Sequence, residues 1–204
     1  MEQAADYASG LLALVRYPVE LRPPPGFRPD APETWPRIPG RLEWVGGRLL
    51  LMPPCGDTQQ TVAFDVVAVL SPWVRAHPEF EAGGNEAGMM FAGEVRGAEA
   101  AIWRLDALGD LTGGYRRVPP ILAVEVTGQY EGEVELRRKA DWYLEHGVSV
   151  VWLVLAETEE VLVLAIGSEY RLRSGDRIGP HAELPGLEPA VDDFFVLVRR
   201  QRVR

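Results

Sequence analysis

The chain has 204 residues, of which 47% are hydrophobic and 25% are charged, and this fits one globular domain with extensions better than two domains. No apolar run approaches the roughly 18 residues that a membrane span needs, and the acids Glu2 and Asp6 stand where a signal peptide carries basic residues. A single cysteine, Cys55, excludes an internal disulfide, so we expect a cytoplasmic protein. The net charge of −9 opposes binding to nucleic acid through a broad basic surface.

The first 41 residues are predicted to form an N-terminal helix followed by a proline-rich arm. Leu11, Leu14 and Val15 have helical spacing within residues 5–17. Residues 18–40 contain eight of the 17 prolines, and proline removes a backbone donor and fixes φ. We therefore expect irregular structure here, outside the central sheet.

The domain proper is predicted to span residues 42–198. Two β-rich runs around Gly46-Gly47 predict a hairpin over residues 42–52. Asp57 is expected to cap a helix that extends to about Ala76, kinked or shortened at Pro72. The predicted buried face of that helix consists of Val62, Val66, Val69, Leu70 and Trp73.

The second half of the chain alternates between strands and helices. After a glycine-rich segment with a short strand near residues 89–91, we predict a strand opening at Glu99 and a loop over 105–118. An apolar run at 121–127 predicts a buried strand, 131–146 a helix ended by Gly147, and 148–156 and 160–166 two further strands. Residues 121–156 thus form a β-α-β unit with a parallel pair, and residues 199–204 form a basic tail. The predicted fold class is α/β (α+β), with a central mixed sheet flanked by helices.

The sequence lacks the residues that three common kinds of functional site require. A phosphate-binding loop needs a lysine after glycine, but the only lysine, Lys139, follows an arginine. A structural zinc site needs four clustered ligands, and the chain has one cysteine and three scattered histidines. No serine lies in a G-x-S-x-G turn.

Two residues do not fit the patterns around them. Glu125 lies inside the apolar run 121–127, where an ionised carboxylate needs a charged partner or a metal. Lys139 is the one lysine among 21 basic residues, and it borders the apolar face of the following helix. The alternatives are a salt bridge or a strand end for Glu125, and a chance surface position for Lys139.

Glu99 is a candidate site residue because of its expected closeness to Glu125 and Lys139. Two carboxylates on neighbouring strands, with a lysine beside them, suffice to hold one divalent cation and to orient a water molecule. Mg²⁺ and Mn²⁺ favour oxygen ligands, and Mg²⁺ keeps waters of its own. We therefore expect Glu99 and Glu125 to bind the metal and Lys139 to position or help deprotonate the attacking water.

Four segments resemble one known family. Residues 42–47 are similar to its Y-E-L-x-D-G hairpin, 123–126 to its V-V-E-V strand, 139–148 to its K-x-x-x-Y-x-x-x-G-V signature, and 151–154 to its Y-W-I-V strand. This family is Uma2, once called DUF820, of the restriction-endonuclease-like PD-(D/E)XK superfamily. The resemblance covers about residues 42–166.

The resemblance implies a metal-dependent endonuclease with Glu99, Glu125 and Lys139 in its site, and with Glu43 as an extra ligand or water-orienting group. The chain departs from the family pattern at three places. Ala98-Glu99 replaces the usual P-D, Gln59 or Gln60 stands where a histidine opens the first core helix, and Arg48 replaces a second glutamate.

The expected activity is hydrolysis of DNA phosphodiester bonds with Mg²⁺ or Mn²⁺. Two alternatives stay open: a non-catalytic binding or assembly module that keeps the fold, and a hydrolase of a small phosphorylated metabolite. Because cutting both strands of a duplex is most simply done by two sites, we also expect a homodimer.

Overall fold

The computed structural model describes residues 17–202 and contains a nine-stranded sheet with helices on both faces. The nine strands have these bounds: β1 Val19–Leu21, β2 Leu42–Val45, β3 Arg48–Leu51, β4 Phe80–Phe91, β5 Glu94–Arg104, β6 Leu122–Val126, β7 Val150–Leu155, β8 Glu160–Ala165 and β9 Ser168–Leu172. The helices are α1 Asp57–Ala76, α2 Glu133–Glu145 and α3 Val196–Arg202.

The strand order is β1-β3-β2-β5-β6-β7-β8-β9, with β4 also paired to β5. The pair β6–β7 is parallel, as expected for the β-α-β unit, and the other paired strands are antiparallel. This confirms a mixed sheet, although it is mostly antiparallel.

The sheet separates two apolar cores. On one face, Val62 and Val66 of α1 pack with Val124 of β6 and with Phe194 near the C-terminus. On the other face, Leu136 of α2 joins a second cluster that includes the neighbouring strand residue Ala123. Successive residues of β6 therefore enter opposite cores, which is why its sequence is almost continuously apolar.

Among residues 17–202, no helix is long and apolar enough to span a membrane. The helix predicted for residues 5–17 falls outside the described residues, except for Tyr17, which is not helical.

The proline-rich arm joins the sheet at one point. The prediction of irregular structure outside the sheet was wrong for Val19–Leu21, which form β1 and pair with β3 at the sheet edge. Pro18 and Pro23 lie on either side of this short strand, and proline is tolerated at an edge but not in a central strand. Apart from a 3-10 turn at Pro32–Thr34, the arm has no other helix or strand.

Helix α1 has the predicted bounds but not the predicted cap. Gly56 is the N-cap residue, and Asp57 is the first helical residue, where its charge suits the helix N-terminus. The helix continues through Pro72, contrary to the expected shortening. Pro72 is exposed, as is Ala68, whose carbonyl the proline leaves without a helical donor. Water can therefore satisfy that carbonyl.

The glycine-rich region is a long hairpin, whereas we expected mostly loop. Strand β4 has 12 residues, and β5 begins at Glu94, so Glu99 lies inside a strand and does not open one. The register shifts between Gly84 and Ala87, as at a β-bulge, where glycine is common. Strand β9 was not predicted.

The expected basic tail at 199–204 is helical up to Arg202. Arg199 and Arg202 both pair with Glu159, at 2.6 Å each. These pairs fasten α3 to the turn between β7 and β8.

Candidate active site

Strand β5 brings Glu99 to a branch point in the sheet. Strand β4 occupies one edge of β5, while its other edge pairs with β2 near Val95 and with β6 at residues 100–102. Glu99 lies between these two pairings. Continuing the β5–β6 register by one residue sets Glu125 opposite Glu99. The two carboxylates therefore come from adjacent strands, where β2 and β6 diverge.

Glu99 is buried and bound to an amide. The Gln59 side chain donates a hydrogen bond from Nε2 to Glu99 Oε1 at 2.9 Å, and another to the Val126 carbonyl at 3.3 Å. Burial, and then the charge of Glu125, raise the pKa of Glu99 to about 7, and nearby positive charges oppose this only in part. Glu99 therefore binds and releases its proton near neutral pH.

Glu125 is almost completely buried, with 1% exposure. The Tyr143 hydroxyl donates to its Oε1 at 2.7 Å, and Lys139 Nζ lies 3.4 Å from its Oε2. Burial raises the pKa of Glu125 above its usual value, against the lowering effect of Lys139 and Arg41. The partners of Glu125 come from α2, the helix that directly follows its strand.

Lys139 lies between two glutamates. Its Nζ is 2.9 Å from Glu131 Oε1 as well as 3.4 Å from Glu125 Oε2. Burial lowers the pKa of Lys139, but the charges of Glu125, Glu43 and Glu131 outweigh this and raise it above the usual value. Lys139 thus stays protonated, so it can donate hydrogen bonds but cannot accept the proton of a water molecule.

Glu43 is fully buried, but its near partners are arginines. Its Oε2 accepts a hydrogen bond from Arg96 at 3.0 Å, and its Oε1 lies 3.9 Å from Arg41 Nε. Arg41 also lies 3.3 Å from Glu131, the partner of Lys139. Glu43 is therefore joined to the site through Arg41, and its predicted role as a ligand or water-orienting group stays a prediction.

The site thus contains four buried glutamates and three largely buried cationic side chains. The glutamates are Glu43, Glu99, Glu125 and Glu131, and the cationic residues are Arg41, Arg96 and Lys139. If all were ionised, the cluster would lack one positive charge. The raised pKa of Glu99 means that a proton supplies this charge at neutral pH or below, and a bound cation could supply it instead.

The donor set fits a hard divalent cation. Within residues 17–202, no three His, Cys, Asp or Glu side chains are arranged to hold a metal ion. Mg²⁺ does not require such a cage, because it is commonly bound by one or two carboxylates and keeps several waters. Glu99 and Glu125 supply two carboxylates, and a cavity of about 240 Å³, with Cys55 and Phe64 in its wall, opens beside Glu99.

Four members of the cluster, Glu43, Glu99, Glu125 and Lys139, were predicted from the sequence, but several of their partners were not. Glu125 and Lys139 contrasted with their surroundings, but Arg41 is one of 20 arginines and Glu131 lies in an ordinary acidic loop. Tyr143 lies in the predicted helix and in the K-x-x-x-Y signature, but no hydrogen-bond partner was predicted for it. Gln59 was noted only as the residue that replaces a histidine.

The comparisons with known proteins agree with this architecture. The family model of Uma2, described as "Putative restriction endonuclease", matches residues 32–192. A solved structure of a putative nuclease belonging to DUF820, from Anabaena variabilis ATCC 29413, is similar with a TM-score of 0.72 and 15% identity, covering 84% of this chain and 99% of that chain. No curated protein matches the sequence. The family match spans most of the chain and contains every buried charge of the site, so the chain belongs to the Uma2 family.

Proposed function

We propose that this protein is an endonuclease that hydrolyses DNA phosphodiester bonds with a divalent cation, Mg²⁺ or Mn²⁺. The observation that carries the proposal is the convergence of Glu99, Glu125 and Lys139. These residues come from two strands and a helix, and they share one buried cluster whose charge is one positive unit short. The family description and the DUF820 nuclease support the assignment to nucleases.

Each of the three residues has a distinct proposed role. Glu99 and Glu125 hold the cation, which when bound would lower the pKa of a coordinated water and neutralise charge on the phosphate. Lys139, held protonated by its glutamates, orients that water and stabilises negative charge through hydrogen bonds. Tyr143 fixes the Glu125 carboxylate by its 2.7 Å hydrogen bond.

The acidity of the chain supports a second candidate. With a net charge of −9, a DNA duplex is repelled at long range, whereas a small phosphorylated metabolite meets a weaker penalty. The same carboxylates and lysine would serve hydrolysis of such a compound. If the protein has lost catalytic turnover but kept the fold, it would instead be a non-catalytic binding or assembly module.

The test is cleavage of supercoiled plasmid and of single-stranded oligonucleotides with Mg²⁺, with Mn²⁺ and with a chelator. We expect cation-dependent cleavage that Glu125→Gln reduces by a factor of about 10² or more, the range for losing one group that stabilises the transition state. Glu145→Gln is the matched control, because Glu145 is an exposed glutamate on α2.

Three other results would reject the endonuclease assignment. Cleavage that persists in Glu125→Gln would assign the activity to a contaminant. Turnover of bis(p-nitrophenyl) phosphate without cleavage of any DNA would favour the small-substrate hydrolase. Absence of turnover on both kinds of substrate would favour the non-catalytic module.

We further propose that the protein acts in the cytoplasm as a homodimer. The chain has a single cysteine, and it is exposed and free, which suits a reducing compartment. Two copies related by a two-fold axis would present one site to each strand of a duplex.

A further inference from the structure

The Gln59 amide occupies an unusual position between two oxygen acceptors. Gln59 lies in the first turn of α1, and its side chain is buried, with 8% exposure. One nitrogen, Nε2, contacts both Glu99 Oε1 at 2.9 Å and the Val126 carbonyl at 3.3 Å. The Val126 carbonyl and the ionised Glu99 carboxylate both accept hydrogen bonds, so they require the donor end of the amide at this point.

A glycine makes room for this amide. At Gly128, two residues beyond β6, an added Cβ would lie 2.3 Å from Gln59 Oε1 and 3.0 Å from Gln59 Cδ. Any side chain at position 128 would therefore expel the amide or shift the turn. That turn is closed by Gly128 N, which donates to the Glu131 carbonyl at 3.0 Å. Gly128 and Gln59 thus fit together as a pair.

A hard cation also binds at positions that are close to a carboxylate oxygen and to a backbone carbonyl oxygen. A cation would lie nearer to its ligands, at about 2.0–2.6 Å. The partly positive NH₂ group of Gln59 meets the same two oxygens at hydrogen-bond distance. The amide and a cation would therefore compete for Glu99.

We propose that Gln59 closes the carboxylate site, so that a divalent cation binds only after the Gln59 amide turns away from Glu99 and from the Val126 carbonyl. This inference rests on the proposed function, because it assumes that Glu99 and Glu125 hold the cation. Gln59 then limits the apparent affinity for the cation. If the open arrangement is populated about one part in ten, the apparent Kd is weakened about tenfold.

The experiment measures Mn²⁺ binding to the whole chain at pH 8 by electron paramagnetic resonance of free Mn²⁺, without any substrate. Two variants remove the closure in different ways. Gln59→Ala deletes the amide, and Gly128→Ala displaces it. Gln60→Ala is the matched control, because Gln60 is an exposed neighbour on the same helix and its amide contacts the Cys55 carbonyl.

We expect Gln59→Ala and Gly128→Ala each to tighten Mn²⁺ binding about tenfold, with Gln60→Ala equal to wild type. Unchanged or weaker binding in Gln59→Ala, together with wild-type binding that Glu125→Gln abolishes, would overturn the closure and leave the metal site intact. Absence of Mn²⁺ binding in all variants would overturn the proposed metal site and the closure with it. A folded Gly128→Ala decides the question where Gln59→Ala does not fold.

Discussion

At the scale of single residues, Lys139 explains how two buried glutamates, Glu125 and Glu131, are tolerated in one core. Its ammonium lies within 3.4 Å of both Glu125 and Glu131, and an Arg41 guanidinium nitrogen lies 3.3 Å from Glu131 Oε2. Charged groups are almost never buried without such partners. Of the two interpretations that the sequence left open for Lys139, a solvated surface position is therefore wrong.

Replacing Lys139 by methionine should destabilise the fold. The substitution retains much of the apolar stem but leaves Glu125 and Glu131 without their ammonium, so we expect a loss of about 3–5 kcal/mol in the free energy of unfolding at pH 8. Urea denaturation would measure this loss. Arg138→Met, at the exposed neighbouring position, is the control and should change stability by less than about 0.5 kcal/mol. Equal stability of the two variants would contradict the structural role.

Stability should also depend on the protonation of Glu99. The pKa of Glu99 is about 7 in the folded chain, against 4.5 as the reference value, so folding favours the protonated form. Its stabilising contribution is complete below about pH 4.5 and is lost as the pH rises through about 7. The loss is about 3 kcal/mol, at about 1.4 kcal/mol for each pH unit between the two pKa values.

The measurement is urea denaturation of wild type and Glu99→Gln at intervals between pH 4.5 and pH 8. Because glutamine does not titrate, the variant should lose less stability than wild type over this range. Parallel pH profiles for the two proteins would show that Glu99 has an ordinary pKa.

At the scale of elements, pairings between strands that are neighbours in the sequence were predictable, and pairings between distant strands were not. The β-α-β unit, the hairpin over 42–52 and the bounds of α1 followed from apolar spacing and from turn residues. Strand β4 was largely missed because its glycines and alanines lack the β-branched pattern of a strand. The closeness of Glu99 and Glu125 depends on the branched pairing of β5, which no local pattern encodes.

The C-terminal end of α2 allows a test of the prediction that Gly147 ends this helix. Gly147 has a φ of +92°, a conformation that glycine adopts readily and that strains other residues. Gly147→Ala should therefore cost about 1–2 kcal/mol, measured by denaturation. Gly109→Ala is the control, because an added Cβ there meets nothing within 4 Å and φ is not positive. Equal stability of the two variants would contradict a strained position.

At the scale of the whole molecule, many arginines are neutralised by acids of the same chain. Arg137 pairs with Glu133 and Glu169, and Arg171 pairs with Glu133 and Glu160. Such partly exposed pairs contribute little to stability, but they reduce the positive charge available to a polyanion. A DNA substrate would therefore rely on the cation and on few direct contacts, so its binding should be weak, and it should depend only slightly on salt because few phosphates are neutralised by the protein.

The proposed dimer also concerns the molecule as a whole. If two copies cut the two strands of a duplex together, multi-angle light scattering at micromolar concentration should give about twice the chain mass of 22.6 kDa. A mass equal to one chain would contradict the dimer. It would leave the site within each chain unaffected.

The most direct test of the central claim, that Glu99 and Glu125 hold one catalytic cation, is a crystal of the protein soaked in Mn²⁺ at pH 8, where Glu99 is ionised. Anomalous diffraction locates Mn²⁺ independently of any activity. We predict one strong peak with an oxygen of Glu99 and an oxygen of Glu125 at about 2.0–2.6 Å, and with the Gln59 amide displaced. A well-ordered site with no peak between these carboxylates, or with Mn²⁺ bound only elsewhere, would contradict the account.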